Sequence, residues 1–117
     1  MSGWIGVDLD GTLAKYDGWQ GATHIGEPIA PMLERVKRWM TEGHEVRIFT
    51  ARVSGRDEKE HREVVAAIQT WCVRHFGRLM DITCVKDYGM IELWDDRCVQ
   101  VEANTGRVIG NSTRGLE

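Results

Sequence analysis

Two periods of apolar spacing alternate along this chain. Trp4-Ile5-Gly6-Val7 is an unbroken apolar run and predicts a buried strand over about residues 3–9. Residues 14–27 are rich in glycine, polar groups and aromatics and read as a loop. Pro28 and Pro31 then open an amphipathic helix, because Ile29, Met32, Leu33, Val36 and Met40 recur at three- and four-residue steps. Gly43 ends it. His44 to Phe49 forms a second strand that stops at Thr50. Ser54-x-x-Asp57 fits a capping box for a longer helix over about 57–76, with Val64, Val65, Ile68, Trp71, Cys72 and Phe76 as its apolar stripe. Asp81 to Val85 reads as a third strand and Met90 to Trp94 as a fourth. Cys98 to Val101 and Arg107 to Ile109 read as a hairpin joined through Ala103-Asn104-Thr105-Gly106. Strand, helix, strand, helix, strand is the pattern of an α/β domain with a mainly parallel sheet and right-handed crossovers.

Composition narrows the picture. With 117 residues and no repeat or linker, the chain is expected to be one domain, 1–117, large enough to bury a core without staples. A net charge of −3 offers no general attraction for nucleic acid or an anionic membrane. Cys72, Cys84 and Cys98 are odd in number and lack zinc-ligand spacing, so buried free thiols in a reducing cytoplasm are expected. No signal peptide is legible, and no stretch approaches the ~18 apolar residues of a membrane helix. A cytoplasmic protein without membrane partners is the expectation.

The chemistry concentrates where strands end. Asp8-Leu9-Asp10-Gly11-Thr12 puts two carboxylates two residues apart at a strand end, so that the strand repeat projects both from the same face, and then a glycine turn. Such a pair repels itself unless a cation or a shared proton relieves it. A hard divalent cation with oxygen ligands, Mg²⁺, is the expected occupant. Thr50-Ala51-Arg52 closes the second strand, Lys86 the third and Asp95-Asp96-Arg97 the fourth. In a parallel sheet these ends share one edge, so groups scattered along the chain can meet in one pocket. Taken singly, Thr50 could be a cap, Lys86 a surface lysine, Asp95-Asp96 a turn pair and Arg52 a surface arginine. Together they supply the hydroxyl, fixed cation and further carboxylates that phosphoryl transfer needs. Tyr16, Trp19 and His24 could wall such a pocket for a base or sugar, or fold the loop back onto the sheet. The charged run Arg56 to Glu63 reads as a solvated helix face.

The ordered set Asp8-x-Asp10-Gly11-Thr12, Thr50, Lys86 and Asp95-Asp96 resembles the four motifs of the haloacid dehalogenase superfamily, in its phosphatase branch, over residues 4 to about 101. It is similar to small phage and bacterial phosphatases, including the phosphatase half of phage-type polynucleotide kinase, which shares the arginine after the second motif. The resemblance implies a Rossmann-like fold with helices on both faces of the sheet. Residues 13 to 49 leave no room for a separate cap domain. It also implies a Mg²⁺-dependent phosphomonoesterase. Asp8 would be the nucleophile, Asp10 the general acid and base, and Thr50 and Lys86 would bind and neutralise the phosphoryl group. Thr12, Ala51 and Arg52 would meet substrate. Asp8, the Asp10 carbonyl and Asp95 or Asp96 would hold the metal. Implied substrates are nucleotides, other small phosphate monoesters or nucleic-acid phosphate ends, and a homodimer is compatible with so open a site. Rival readings are a phospho-accepting receiver-like domain and a catalytically inactive binding domain. The receiver is disfavoured because its phosphorylated aspartate follows an earlier acidic pair.

Overall fold

Four strands pair in parallel: β1 (Trp4–Asp8), β2 (Glu45–Phe49), β3 (Asp81–Thr83) and β4 (Met90–Trp94), in the spatial order β3-β2-β1-β4. The computed structural model describes residues 3–110. α1 (Ala30–Thr41) joins β1 to β2, and α2 (Glu58–Phe76) joins β2 to β3. A short antiparallel pair, β5 (Gln100–Val101) and β6 (Val108–Ile109), follows. The α/β class and the parallel sheet are as the sequence predicts.

The layering differs from the expectation of helices on both faces. Ile5 and Val7 of β1 and Val46 and Ile48 of β2 share one side of the sheet by the two-residue repeat. They form a single cluster with Met32 and Val36 of α1 and Val64, Ile68, Trp71 and Cys72 of α2. Both helices therefore cover the same face. The cause is topological: β1, β2 and β3 step in one direction, and two successive right-handed crossovers stay on one side. The opposite face carries Trp4 stacked on Phe49, with Arg47 over the Trp4 ring. The chain then jumps from β3 past β2 to β4 on the far side of β1. The strand order thus reverses beside β1, which is where open α/β sheets place ligands.

Local chemistry explains the boundaries. Pro31 sits in the first turn of α1, where its missing N–H is not needed. α2 is capped by Asp57, whose side chain accepts from the Glu60 amide at 2.8 Å, not by Ser54 as expected. Asp57 with Glu60 is the same box pattern one turn later. Ser54 instead closes a 3₁₀ turn, Ala51–Val53, that follows β2. β3 stops at Thr83, two residues short of the expected Val85, because the Thr83 hydroxyl accepts the Val85 N–H at 3.0 Å. Of the three cysteines expected to be buried, Cys72 is; Cys84 is half-buried and Cys98 exposed. Burial pushes the Cys72 thiol up to about 12, as inert core sulfur. No helix of the described residues is long and apolar enough to cross a membrane.

Candidate active site

The turn after β1 builds the first half of the site. Leu9 carbonyl oxygen accepts from the amides of Leu13 and Ala14 at 3.0 and 2.8 Å, folding residues 9–14 tightly over the strand end. Gly11 has φ +89°, and a Cβ there would come within 2.5 Å of Asp96 Oδ2. Only glycine meets both demands. That close approach lets the Thr12 hydroxyl bridge two distant segments. It accepts the Asp96 amide at 2.9 Å and lies 3.3 Å from both Asp8 Oδ2 and Asp96 Oδ1. Its single proton can serve one carboxylate at a time. Thr12, expected to meet substrate, acts here as the hinge pin between the first and fourth strand ends.

Carboxylate oxygens of Asp8, Asp95 and Asp96 all lie within 4.8 Å of one another. Burial, then the negative charges of Asp95 and Asp96, push the Asp8 carboxyl up to about 8. Three crowded hard-oxygen donors that cannot all ionise are the donor set a small divalent cation relieves. The residues fit Mg²⁺ on that chemistry.

Asp10 lies outside this trio. β1 ends at Asp8, so the two-residue repeat does not carry through to Asp10, and its carboxylate is held by Arg52 instead. Nε and Nη2 of Arg52 donate to the two Asp10 oxygens at 2.7 and 2.9 Å. Nη1 donates to the carbonyls of Gly21 and Ala22. The arginine side chain is 5% exposed, and a buried guanidinium requires this degree of pairing. Arg52 is therefore an internal clamp on Asp10, not the free surface arginine that its sequence position allows, and its fork is taken before a substrate arrives.

Thr50 is buried, and its hydroxyl accepts the Arg52 amide at 3.2 Å, starting the 3₁₀ turn. A cavity of about 390 Å³ joins these groups: Asp8, Asp10, Thr50, Ala51, Arg52, Asp95 and Asp96 line it, with Phe49, Tyr16 and Trp19. Arg56 and Arg97 line it too; the sequence places Arg97 at that edge without assigning it a role, and misses Arg56 as a site residue. Arg56 was assigned to a solvated face, yet its side chain is 22% exposed and donates to the Arg52 carbonyl. Its place immediately before the helix cap Asp57 is the available signal.

Two expected residues fall elsewhere. Lys86 lines the neighbouring cavity, which shares Asp95 with the first, and makes no ion pair among the described residues. The early end of β3 sets it three residues beyond the strand. His24 lines a smaller cavity behind Arg52 and Tyr16.

No family model matches the chain, and no curated protein matches it in sequence. Among solved structures, it is similar to a conserved protein from Bacteroides thetaiotaomicron, 22% identical, with a TM-score of 0.54. The match covers 85% of this chain and 79% of that one. At that identity the likeness bears on the fold alone.

Proposed function

We propose that this chain is a Mg²⁺-dependent phosphomonoester hydrolase of the haloacid dehalogenase type, without a cap domain. The observation that carries the reading is the convergence of Asp8, Asp95 and Asp96 within 4.8 Å beside an arginine-clamped Asp10 at the carboxyl edge of the sheet. In the first step an Asp8 oxygen attacks phosphorus in line. The bond from phosphorus to the ester oxygen breaks, and that oxygen takes a proton from the acid form of Asp10, leaving Asp10 as the carboxylate. In the second step Asp10 takes a proton from water, whose oxygen attacks the aspartyl-phosphate. Phosphate departs and Asp8 is restored. Arg52 fixes the carboxylate that moves both protons, so the same atom meets the leaving oxygen and then the water.

Asp8, Asp95 and Asp96 carboxylates and the Asp10 carbonyl would hold Mg²⁺, which supplies charge neutralisation between the two anions that must meet. Thr50 and the turn beginning at Ala51 bound the phosphoryl end of the cavity. Arg97, which lines the cavity, and Lys86, on the other side of Asp95, are the cations that offset transferred charge. Nucleotides and other small phosphate monoesters are the proposed substrates, followed by nucleic-acid phosphate ends.

The test is phosphate release from a panel of monoesters, with Mg²⁺ and with EDTA. Metal-dependent release that disappears in Asp8→Asn, while that variant keeps its circular dichroism spectrum, is the expected result. Near-native hydrolysis by Asp8→Asn would sink the covalent mechanism.

A further inference from the structure

The loop over the site presents an unusual surface. Trp19 is 57% exposed and Tyr16 41%, although both line a cavity and either could have folded onto the sheet. The indole stands against two cations. The Arg52 guanidinium carbon lies 5.0 Å from the Trp19 ring centroid and that of Arg56 6.0 Å. Arg52 is itself fixed by Asp10 and by two loop carbonyls. Cation–ring contact of this kind holds an aromatic in place while leaving ring surface uncovered. A flat surface that is already immobile loses little freedom when a second ring stacks on it.

Position assigns the surface a role. Arg52 carries Asp10 on its fork and sets its guanidinium carbon over the Trp19 ring, so the ring and Asp10 meet the same guanidinium. Asp10 is the group that hands a proton to the departing oxygen in the reaction above. Trp19 therefore stands beside the leaving group and not beside the transferred phosphate, which belongs with Asp8, Asp95 and Asp96. We propose that Trp19, with Tyr16, forms a leaving-group subsite that takes a flat aromatic ring. The chemical class is a phosphate monoester whose alcohol carries such a ring, with a mononucleotide as the compact example. The inference rests on the phosphatase reading for its orientation. The cavity, about 390 Å³, falls within the range of small-molecule sites.

The experiment compares kcat/KM for a nucleoside monophosphate and for glycerol phosphate, which has no ring, in wild type, Trp19→Ala and Trp19→Phe. The readout is the ratio of the two substrates within each variant, so any general damage transmitted through Arg52 cancels. The wild-type ratio is expected to favour the nucleotide. Trp19→Ala should lower it about 5- to 100-fold, chiefly through KM, and Trp19→Phe should restore most of it. A wild-type ratio near one, or a ratio unchanged in Trp19→Ala, overturns the subsite and leaves the phosphatase reading standing.

Calorimetric titration of the nucleoside monophosphate into Asp8→Asn separates the two failures. If wild type hydrolyses nothing, binding that weakens in the Asp8→Asn, Trp19→Ala double variant still supports the ring subsite. No binding to Asp8→Asn overturns it. An oligonucleotide end bound or cleaved far better than the mononucleotide overturns the assignment of a compact, single-ring ligand.

Discussion

The two ends of the parallel sheet each carry aspartates, and their surroundings treat Asp87 at one end and Asp8 at the other oppositely. At the amino end, Asp87 accepts from Trp4 Nε1 and from the Gly89 amide, both at 2.8 Å, and Arg47 lies 3.5 Å away. The Trp4 hydrogen bond, the Gly89 amide and the Arg47 charge hold its carboxyl below the usual range. At the carboxyl end, burial and two neighbouring carboxylates push Asp8 up to about 8. One end is a clasp in which every group is served. The other is left in electrostatic conflict, and such conflict marks functional sites. The lesson is that residue types alone do not separate structure from chemistry. What separates them is whether the surroundings satisfy the charge.

The sharpest way to break the contrast is through Arg52, the buried, fully paired cation at the conflicted end. Arg52→Lys keeps the charge and removes the fork that holds both Asp10 oxygens. A kcat lower by about 10²-fold, with a smaller change in KM, is expected in steady-state phosphate release. An unchanged kcat would show that Asp10 needs no clamp.

Next in size is the stability of the metal-free protein. Asp8 binds a proton more tightly folded than unfolded, so its favourable contribution is complete below about pH 4 and is lost as pH rises toward 8. Asp8→Asn removes that loss. Discounted for solvent screening, the variant should gain about 1 kcal/mol at pH 8, roughly 3–6 °C in Tm by calorimetry, and nothing at pH 4. Mg²⁺ should raise the wild-type Tm increasingly from pH 6 to 8, because the metal must displace that proton. A pH-independent effect of Mg²⁺ would place the ion elsewhere.

The smallest effect is expected at the clasp. Asp87→Asn should lower Tm slightly above pH 4 and leave turnover untouched. Its sign is opposite to that of Asp8: a lowered carboxyl contributes above its unfolded pKa and loses that contribution as pH falls through its folded value. Equal melting curves for the variant and wild type at pH 7 would show that the clasp is ornamental.

The same contrast explains what the chain discloses before folding. Strand ends were legible because β1, β2 and β4 are short runs with clear edges, and the Asp-Gly-Thr turn has few structural uses. Thr50 and the Asp95-Asp96 pair follow from that, since parallel strands share one carboxyl edge. Lys86 falls outside the main cavity, and Arg52 lines it but spends its fork on Asp10, for a physical reason. Alternation determines side-chain direction only inside a hydrogen-bonded ladder. Beyond Thr83 and Thr50 the path is set by single hydroxyl bonds that leave no periodic trace. The helices were found readily but their shared face was not, because that depends on strand order, which no local pattern encodes.

The pairing of β4 with β1 also has a consequence for biosynthesis. Asp8 and Thr12 emerge early, but Asp96 follows Thr12 by 84 positions. A growing chain that stops before β4 already holds β1, β2, β3 and both helices, yet has only a lone aspartate pair at the sheet edge. The acidic trio can come together only after Asp95 and Asp96 have been made. The last of the four parallel strands in chain order thus also carries the sheet edge to the residues that complete the acidic cluster.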